Sequence, residues 1–154
     1  MRKLFLSLLL SACAVISVNA QEAFTIQQYH VDVTVNKDAS LDITETIQVY
    51  FTESRHGIIR KIPYKYALAP LPAGTEKAER QLESNGQAQT ILENIGVRDQ
   101  HFTVRNSGNY KEIKIGSKDK YVDGVQQYII HYRMLNAINF FKDHSELYLN
   151  RSEE

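Results

Sequence analysis

Apolar and polar residues alternate from Tyr29 to Phe51, and this pattern constrains the fold of the chain more than any other feature. A polar break at 37–40 divides the pattern into two halves, and the odd-numbered positions of both halves are apolar except Glu45. The apolar set comprises Tyr29, Val31, Val33, Val35, Leu41, Ile43, Ile47, Val49 and Phe51. Because successive side chains of a strand point to opposite faces, the pattern predicts two half-buried strands joined by a tight connection, with this set facing the core.

Shorter strands are predicted along the rest of the chain, at 91–97, 102–105, 110–115 and 126–135. The last of these is apolar on both faces around Tyr128, which is typical of a central strand covered on each side. A polar segment at about 67–90 lacks the alternating pattern of the predicted strands and is instead rich in proline and charged residues. We favour a solvated excursion between strands there, with a short helix beginning near Thr75 as the alternative. For residues 136–143 the sequence is compatible with either a loop or a short helical turn.

Several short antiparallel strands without substantial helices predict an all-β chain. The chain is 43% hydrophobic and 23% charged, which is typical of a globular domain and excludes low-complexity or disordered classes. No internal repeat or linker divides it. We therefore predict a single antiparallel β-sandwich domain over 21–154, immunoglobulin-like in its general architecture.

The first residues have the three-part pattern of a secretory signal peptide. Arg2 and Lys3 precede an apolar run at 4–18, and small residues lead to a cleavage position after Ala20. A membrane span is the alternative, but about 15 apolar residues are fewer than the roughly 20 that cross a bilayer. We predict a signal peptide at 1–20 and an exported protein, on the periplasmic or extracellular side of the cytoplasmic membrane.

Lipoprotein processing at Cys13 is the alternative to this cleavage, since Leu-Ser-Ala-Cys at 10–13 matches a bacterial lipobox. The apolar run continues beyond Cys13, where a mature lipoprotein normally becomes polar. Membrane attachment is therefore expected only if Cys13 is lipidated or if the full-length chain continues. With one cysteine, the chain forms no intramolecular disulfide.

Glu45 is the most informative single residue, because it occupies the apolar register of its strand between Ile43 and Ile47. An unpartnered carboxylate there would cost several kcal/mol or stay protonated. A sheet edge or a bulge would relieve the problem, as would a basic partner. We predict a structural ion pair with Arg60, because guanidinium and carboxylate pair in a bidentate manner.

Other polar groups give weaker signals. His30 and Asp32 share one strand face, but two ligands at that spacing imply no metal site. Asp143, His144 and Ser145 have the residue types of a hydrolytic triad, but consecutive side chains do not form the required relay. The 18 basic and 18 acidic residues balance, so no basic field attracts nucleic acid. We predict no catalytic residues, metal or cofactor.

Three segments carry a family resemblance: the alternating strands at 31–47, the Gly-x-x-Arg-x-Ile-Pro motif at 57–63 and Glu-Leu-Tyr at 146–148. In their order they resemble a bacterial family of predicted membrane proteins, domain of unknown function 2207. The resemblance spans about 25–150. It implies an extracytoplasmic β-rich N-terminal domain followed by transmembrane helices, and it implies no reaction.

Two departures from the family pattern matter. Ala39 stands where the family has a turn glycine, and Leu149 stands where it has tryptophan. The family domain also continues with further strands beyond the position of Glu154. The resemblance therefore implies a shortened member whose sandwich is incomplete at its C-terminal end, and an open sheet edge invites pairing with another chain.

Two functions follow as hypotheses. The first is a non-enzymatic interaction module of the cell envelope, bound to another envelope protein or to the missing membrane-spanning part of the same family. The alternative is a glycan-binding or hydrolytic domain whose site is built on loops. A pocket that unites His101 or His131 with a carboxylate and a serine would favour the enzyme. A flat exposed sheet edge would favour the interaction module.

Overall fold

The computed structural model describes residues 23–67, 83–84, 87–140 and 142–147. These residues form twelve β-strands and no helix, which confirms the all-β prediction. The strands are β1 (Phe24–Val35), β2 (Leu41–Arg55), β3 (Gly57–Pro63), β4 (Lys65–Ala67), β5 (Glu83–Ser84), β6 (Gln87–Gln89), β7 (Ile91–Val97), β8 (Phe102–Ser107), β9 (Tyr110–Gly116), β10 (Val122–Leu135), β11 (Ile138–Phe140) and β12 (Ser145–Leu147). The predicted signal peptide and Cys13 lie outside the described residues.

Two antiparallel sheets form the body of the molecule. One contains four strands in the order β1-β2-β10-β7, and the other contains three in the order β3-β9-β8. A single cluster of buried residues draws on both sheets, for example Ile43 and Ile130 from the first and Ile113 and Ile115 from the second. The two sheets therefore enclose one apolar core between them, as in the predicted sandwich.

β2 follows its sequence pattern closely. Its odd-numbered residues from Leu41 to Phe51 are buried, whereas the even-numbered residues of that stretch are half-buried or exposed. The chain then leaves the first sheet at His56 and enters the second at Gly57, which has φ +126°. A Cβ atom at Gly57 would lie 1.9 Å from the carbonyl oxygen of Ile115, so only glycine fits this corner.

β1 departs from the expectation that its apolar residues are buried. In its register with β2, Val31 lies opposite Glu45 and Val35 opposite Leu41, so both valines are on the core-facing side. Val31 is nevertheless 39% exposed and Val35 57% exposed. β1 is the edge strand of its sheet, and the exposure of these valines shows that its core-facing side is only partly covered. Tyr29 and Val33 do pack against the core.

The two ambiguous segments contain strands. Within the predicted excursion, β4, β6 and β5 form a small antiparallel sheet, and the helix considered near Thr75 lies outside the described residues. Residues 138–140 form β11, which pairs with β12, so the predicted loop or helical turn at 136–143 is wrong there. Backbone pairing of Ile138 with Leu147 and of Phe140 with Ser145 stabilises the extended form over a turn.

The connection between β1 and β2 is tight, as expected. The Asn36 N–H donates to the Ser40 carbonyl (2.8 Å), and the Ala39 N–H donates to the Asn36 carbonyl (3.0 Å). Ala39 has φ +61°, a left-handed conformation that favours glycine. The loop thus keeps the backbone shape of a turn glycine although alanine occupies the position.

Candidate functional site

Glu45 and Arg60 meet between the two sheets. Glu45 on β2 is 2% exposed, and the side chain of Arg60 on β3 is 12% exposed. The Arg60 Nε–H donates to Oε2 of Glu45 (2.7 Å), and an Nη2–H donates to Oε1 (2.9 Å). The structure therefore brings the two residues into a bidentate contact that links the sheets at their core-facing sides.

Two tyrosines complete the network around this pair. The Tyr132 hydroxyl on β10 donates to Oε1 of Glu45 (2.8 Å), and Nη2 of Arg60 also donates to the Tyr29 hydroxyl (3.1 Å). Nη1 of Arg60 donates to the Lys61 carbonyl (2.6 Å). Sequence reasoning missed both tyrosines, because their proximity to Glu45 follows from the order of strands in the sheet. The sequence shows only that both tyrosines lie in apolar rows of predicted strands, which does not identify their neighbours.

Burial and the Glu45 charge together raise the pKa of the Tyr132 hydroxyl above its ordinary value. The same causes raise the pKa of Tyr29. Burial alone would lower the pKa of the Arg60 guanidinium, but its hydrogen bonds and attraction to Glu45 outweigh burial and raise it. The network therefore keeps its phenols protonated and Arg60 charged, which suits a structural role.

A cleft of about 150 Å³ opens beside this network, between the edge strands β1 and β3. Its lining is mainly apolar and includes Phe24 and Ile26 from β1 and Ile58 and Ile59 from β3. Arg60 and Lys61 contribute the basic groups of the lining. β1 and β3 are the edge strands of the two sheets on this side of the molecule. The surface between them is therefore both open and apolar.

The backbone of β1 has one free side among the described strands, since β1 pairs only with β2. The Asn36 N–H points toward β2, where it bonds to Ser40. Because N–H and C=O groups alternate in direction along a strand, those of Thr34, Asp32 and His30 also point toward β2. The N–H and C=O groups of Val33 and Val31 therefore point to the free side.

The other predicted candidates do not assemble into a site. His30 and Asp32 contact each other at 3.1 Å on an exposed face. Asp143 and His144 are 2.7 Å apart, and the hydrogen bond that the Asp143 carboxylate accepts from the imidazole raises the pKa of His144. Within the described ranges no group of three or more His, Cys, Asp or Glu residues is suited to hold a metal.

The histidines that would favour an enzyme lie on different sheets. His101, just before β8, contacts the Gly116 carbonyl at 3.2 Å through its Nδ1. His131 on β10 lies over Gly96 of β7, where an added Cβ would be 2.3 Å from the imidazole ring. The structure does not bring either ring to a carboxylate and a serine among the residues it describes.

A second buried carboxylate escaped sequence reasoning. Glu112 on β9 is buried and accepts a hydrogen bond from Nε of Arg105 on β8 (2.7 Å). Arg105 and Glu112 are directly opposite in the β8–β9 register. The signal was present in the sequence, since the turn at 106–109 places these two residues opposite each other in a hairpin.

Comparison with protein families gives one match. The N-terminal domain of a predicted membrane protein family, DUF2207, matches residues 25–151. No curated protein and no solved structure matches the chain. Within the part of the chain that the structure describes, no helix has the length and apolar character needed to span a membrane.

Proposed function

The chain belongs to the DUF2207 family of predicted membrane proteins, and from this premise we propose that it is a non-enzymatic interaction module of the bacterial cell envelope. It works on the extracytoplasmic side of the membrane and binds an extended segment of another polypeptide. Binding adds a strand to the free side of β1, as in recognition by β-augmentation.

The free side of β1 is the observation that carries this proposal. β1 is twelve residues long, and its sequence contains neither lysine nor proline. Natural edge strands are usually shortened, charged or interrupted by proline, which prevents pairing with other chains. β1 carries one acidic residue, Asp32, and a bulge between Ile26 and Gln28, and it has no other of these protections. An edge of this length with so few protections supports a binding surface.

The neighbouring cleft supports the same function. It is continuous with the core-facing side of β1, where Phe24, Ile26 and Tyr29 contribute to its lining. An added strand would place alternate side chains over this side, and apolar ones would bury the exposed surface of β1. The polar groups of Glu45, Arg60 and Tyr132 are engaged with one another, which supports binding rather than catalysis.

Photo-crosslinking in intact cells tests this proposal. A photoreactive residue replaces Val35 in the full chain, where the side chain is exposed beside the free side of β1. We expect a crosslinked product with another polypeptide, and we expect Val31→Pro to abolish it, because proline removes an N–H that an added strand requires. Val31→Lys provides a second block if the proline variant fails to fold.

Val104→Pro is the matched control. Val104 is 40% exposed on β8, which is the edge strand of the other sheet. The Gly116 N–H donates to the His101 carbonyl (2.8 Å), so the alternation of β8 directs the Val104 N–H to its free side. The crosslink should survive Val104→Pro. The proposal fails if no crosslink forms at position 35, or if the β1 variants leave it unchanged.

A further inference from the structure

We infer that the polypeptide that pairs with β1 is a second copy of this chain. Two β1 strands pair antiparallel about a two-fold axis at Val31 and join two four-stranded sheets into one continuous sheet. The inference rests on the proposed function and adds the identity of the partner and the register of the contact. A two-fold contact of this kind is self-complementary and closes after two chains.

Backbone geometry limits the registers that two β1 strands can adopt. The outward N–H and C=O groups include those of Tyr29, Val31, Val33 and Val35, as follows from the hydrogen bond between Asn36 and Ser40. Residues directly opposite each other in an antiparallel pair share the same hydrogen-bonding direction. Each outward residue must therefore face an outward residue of the partner, which permits two-fold axes only at residue positions and excludes axes between them.

Among the permitted axes at His30, Val31 and Asp32, cross-strand pairing favours the axis at Val31. An axis at His30 would place two imidazoles directly opposite each other, and an axis at Asp32 would do the same for two carboxylates. Two carboxylates directly opposite each other are destabilising, and two imidazoles directly opposite each other have no acidic partner. An axis at Val31 instead places His30 opposite the partner's Asp32, and does so twice by symmetry. The side chains of His30 and Asp32 are 59% and 69% exposed, so they are accessible to a second copy. Their 3.1 Å contact within one chain would be exchanged for the two contacts between chains.

The apolar side of β1 agrees with the same register. With the axis at Val31, this valine lies opposite the partner's Val31, and Tyr29 lies opposite the partner's Val33. β-branched and aromatic residues form favourable cross-strand pairs. The exposed surface of Val31 would be covered by its copy. An axis nearer the start of β1 would move the contact onto the bulge between Ile26 and Gln28.

Disulfide trapping tests the register. In a Cys13→Ser background the chain has no other thiol, so Val31→Cys introduces a single one. Opposed residues in a hydrogen-bonded antiparallel pair have Cα atoms about 5.5 Å apart, which a disulfide can span. We expect Val31→Cys to give a covalent dimer on mild oxidation. Absence of that dimer would overturn the inference.

Val35→Cys is the matched control, since Val35 is on the same side of the same strand and is more exposed. In the inferred register it lies eight residues along the strands from its copy, which is about 27 Å at the rise of a β-strand. It should not crosslink. Crosslinking of Val35→Cys or Asp32→Cys at the rate of Val31→Cys would overturn the register.

A charge exchange tests the His30–Asp32 contacts without a thiol. His30→Asp places acids opposite each other twice, and we expect it to raise the dimer dissociation constant about tenfold by sedimentation equilibrium. The double variant His30→Asp/Asp32→His restores opposite types and should restore dimerisation. If it remains as weak as the single variant, the register is wrong.

The outcomes separate this inference from the proposed function. If the chain is monomeric, yet position 35 crosslinks to a different protein in a manner that depends on Val31, the second copy is excluded and the interaction module stands. If neither the thiol nor the photoreactive residue forms a product, both proposals fail.

Discussion

At the scale of single residues, Glu45 shows how a carboxylate is accommodated in an apolar core. Its two oxygens accept hydrogen bonds from the Arg60 guanidinium and the Tyr132 hydroxyl, and these groups come from different strands. A buried charge of this kind is tolerated because its hydrogen-bonding capacity is met. Removal of one partner should therefore cost more than the pair itself contributes.

Glu45→Ala should destabilise the fold by about 3–5 kcal/mol, because it leaves the Arg60 charge buried without its main partner. Urea unfolding measures the change. Glu53→Ala is the control, since Glu53 accepts a hydrogen bond from Arg55 at 2.8 Å with both side chains exposed. An exposed pair contributes about 0–1 kcal/mol. Equal losses for the two variants would contradict a structural role for the buried pair.

The tyrosines of the network give a pH dependence. Burial and the Glu45 charge raise the pKa of Tyr132 and of Tyr29 in the folded state. Above about pH 10 the unfolded chain releases phenolic protons that the folded chain retains, so stability falls as the pH rises. Tyr132→Phe should make this decline shallower in urea unfolding between pH 8 and 11, with Tyr121→Phe at an exposed position as the control. An unchanged slope would contradict the assignment.

Sequence reasoning reached part of this site. Glu45 was conspicuous because a carboxylate interrupted an apolar row, and Arg60 was the best basic partner in the following segment. Tyr132 could not be identified, since it lies 87 residues away and becomes a neighbour only through the pairing of β10 with β2. Local patterns report which side chains point inward, but they do not report which strands are adjacent.

At the scale of elements, the two hairpins offer a matched pair of turns. Ala39 in the β1–β2 turn has φ +61°, and Gly108 in the β8–β9 turn has φ +59°. Ala39→Gly should stabilise the protein, and Gly108→Ala should destabilise it, each by about 1 kcal/mol. A Cβ at Gly108 would meet no atom within 4 Å, so the second change isolates the backbone cost. Thermal unfolding measures both, and shifts of the same sign would contradict the explanation.

The alternation of β1 predicts an alternating hydrogen-exchange pattern. At protein concentrations well below the dimer dissociation constant, the Val31 and Val33 amides should exchange with solvent faster than those of Asp32 and Thr34, which bond to β2. At higher concentration the fast amides should become protected if a second copy pairs with them. Exchange measured by NMR at two concentrations gives the result. Uniform protection along β1 at low concentration would mean that its free side is already covered.

The strands themselves were predictable to different degrees. β2 is central, and the burial of its alternate residues matches its sequence pattern. β1 has the same pattern but is an edge strand, and a strand's own sequence does not state whether a second sheet covers it. β11 and β12 are three residues each, too short for alternation to separate a strand from a turn.

At the scale of the whole molecule, export remains a prediction that a mass measurement can test. Cleavage after Ala20 should give a mature chain that begins at Gln21, with no thiol. Lipoprotein processing would instead leave a lipidated Cys13 at the N-terminus, and retention in the cytoplasm would leave residues 1–20 in place. Intact-mass spectrometry of the protein purified separately from the cytoplasmic and envelope fractions separates these results. The last of them would contradict the predicted location.

The contact between Glu45 and Arg60 has a mechanical consequence, because it joins one layer of the sandwich to the other. Apolar contacts are non-directional and resist sliding of one layer over the other weakly, whereas a bidentate ionic contact tolerates little displacement. Relative motion of the layers should therefore be smallest near Glu45 and should increase toward Leu41 and Phe51, where apolar contacts join them. The gap between β1 and β3 would then widen or narrow as the two sheets rotate about the Glu45–Arg60 contact, while the distance between the sheets at that contact stays constant.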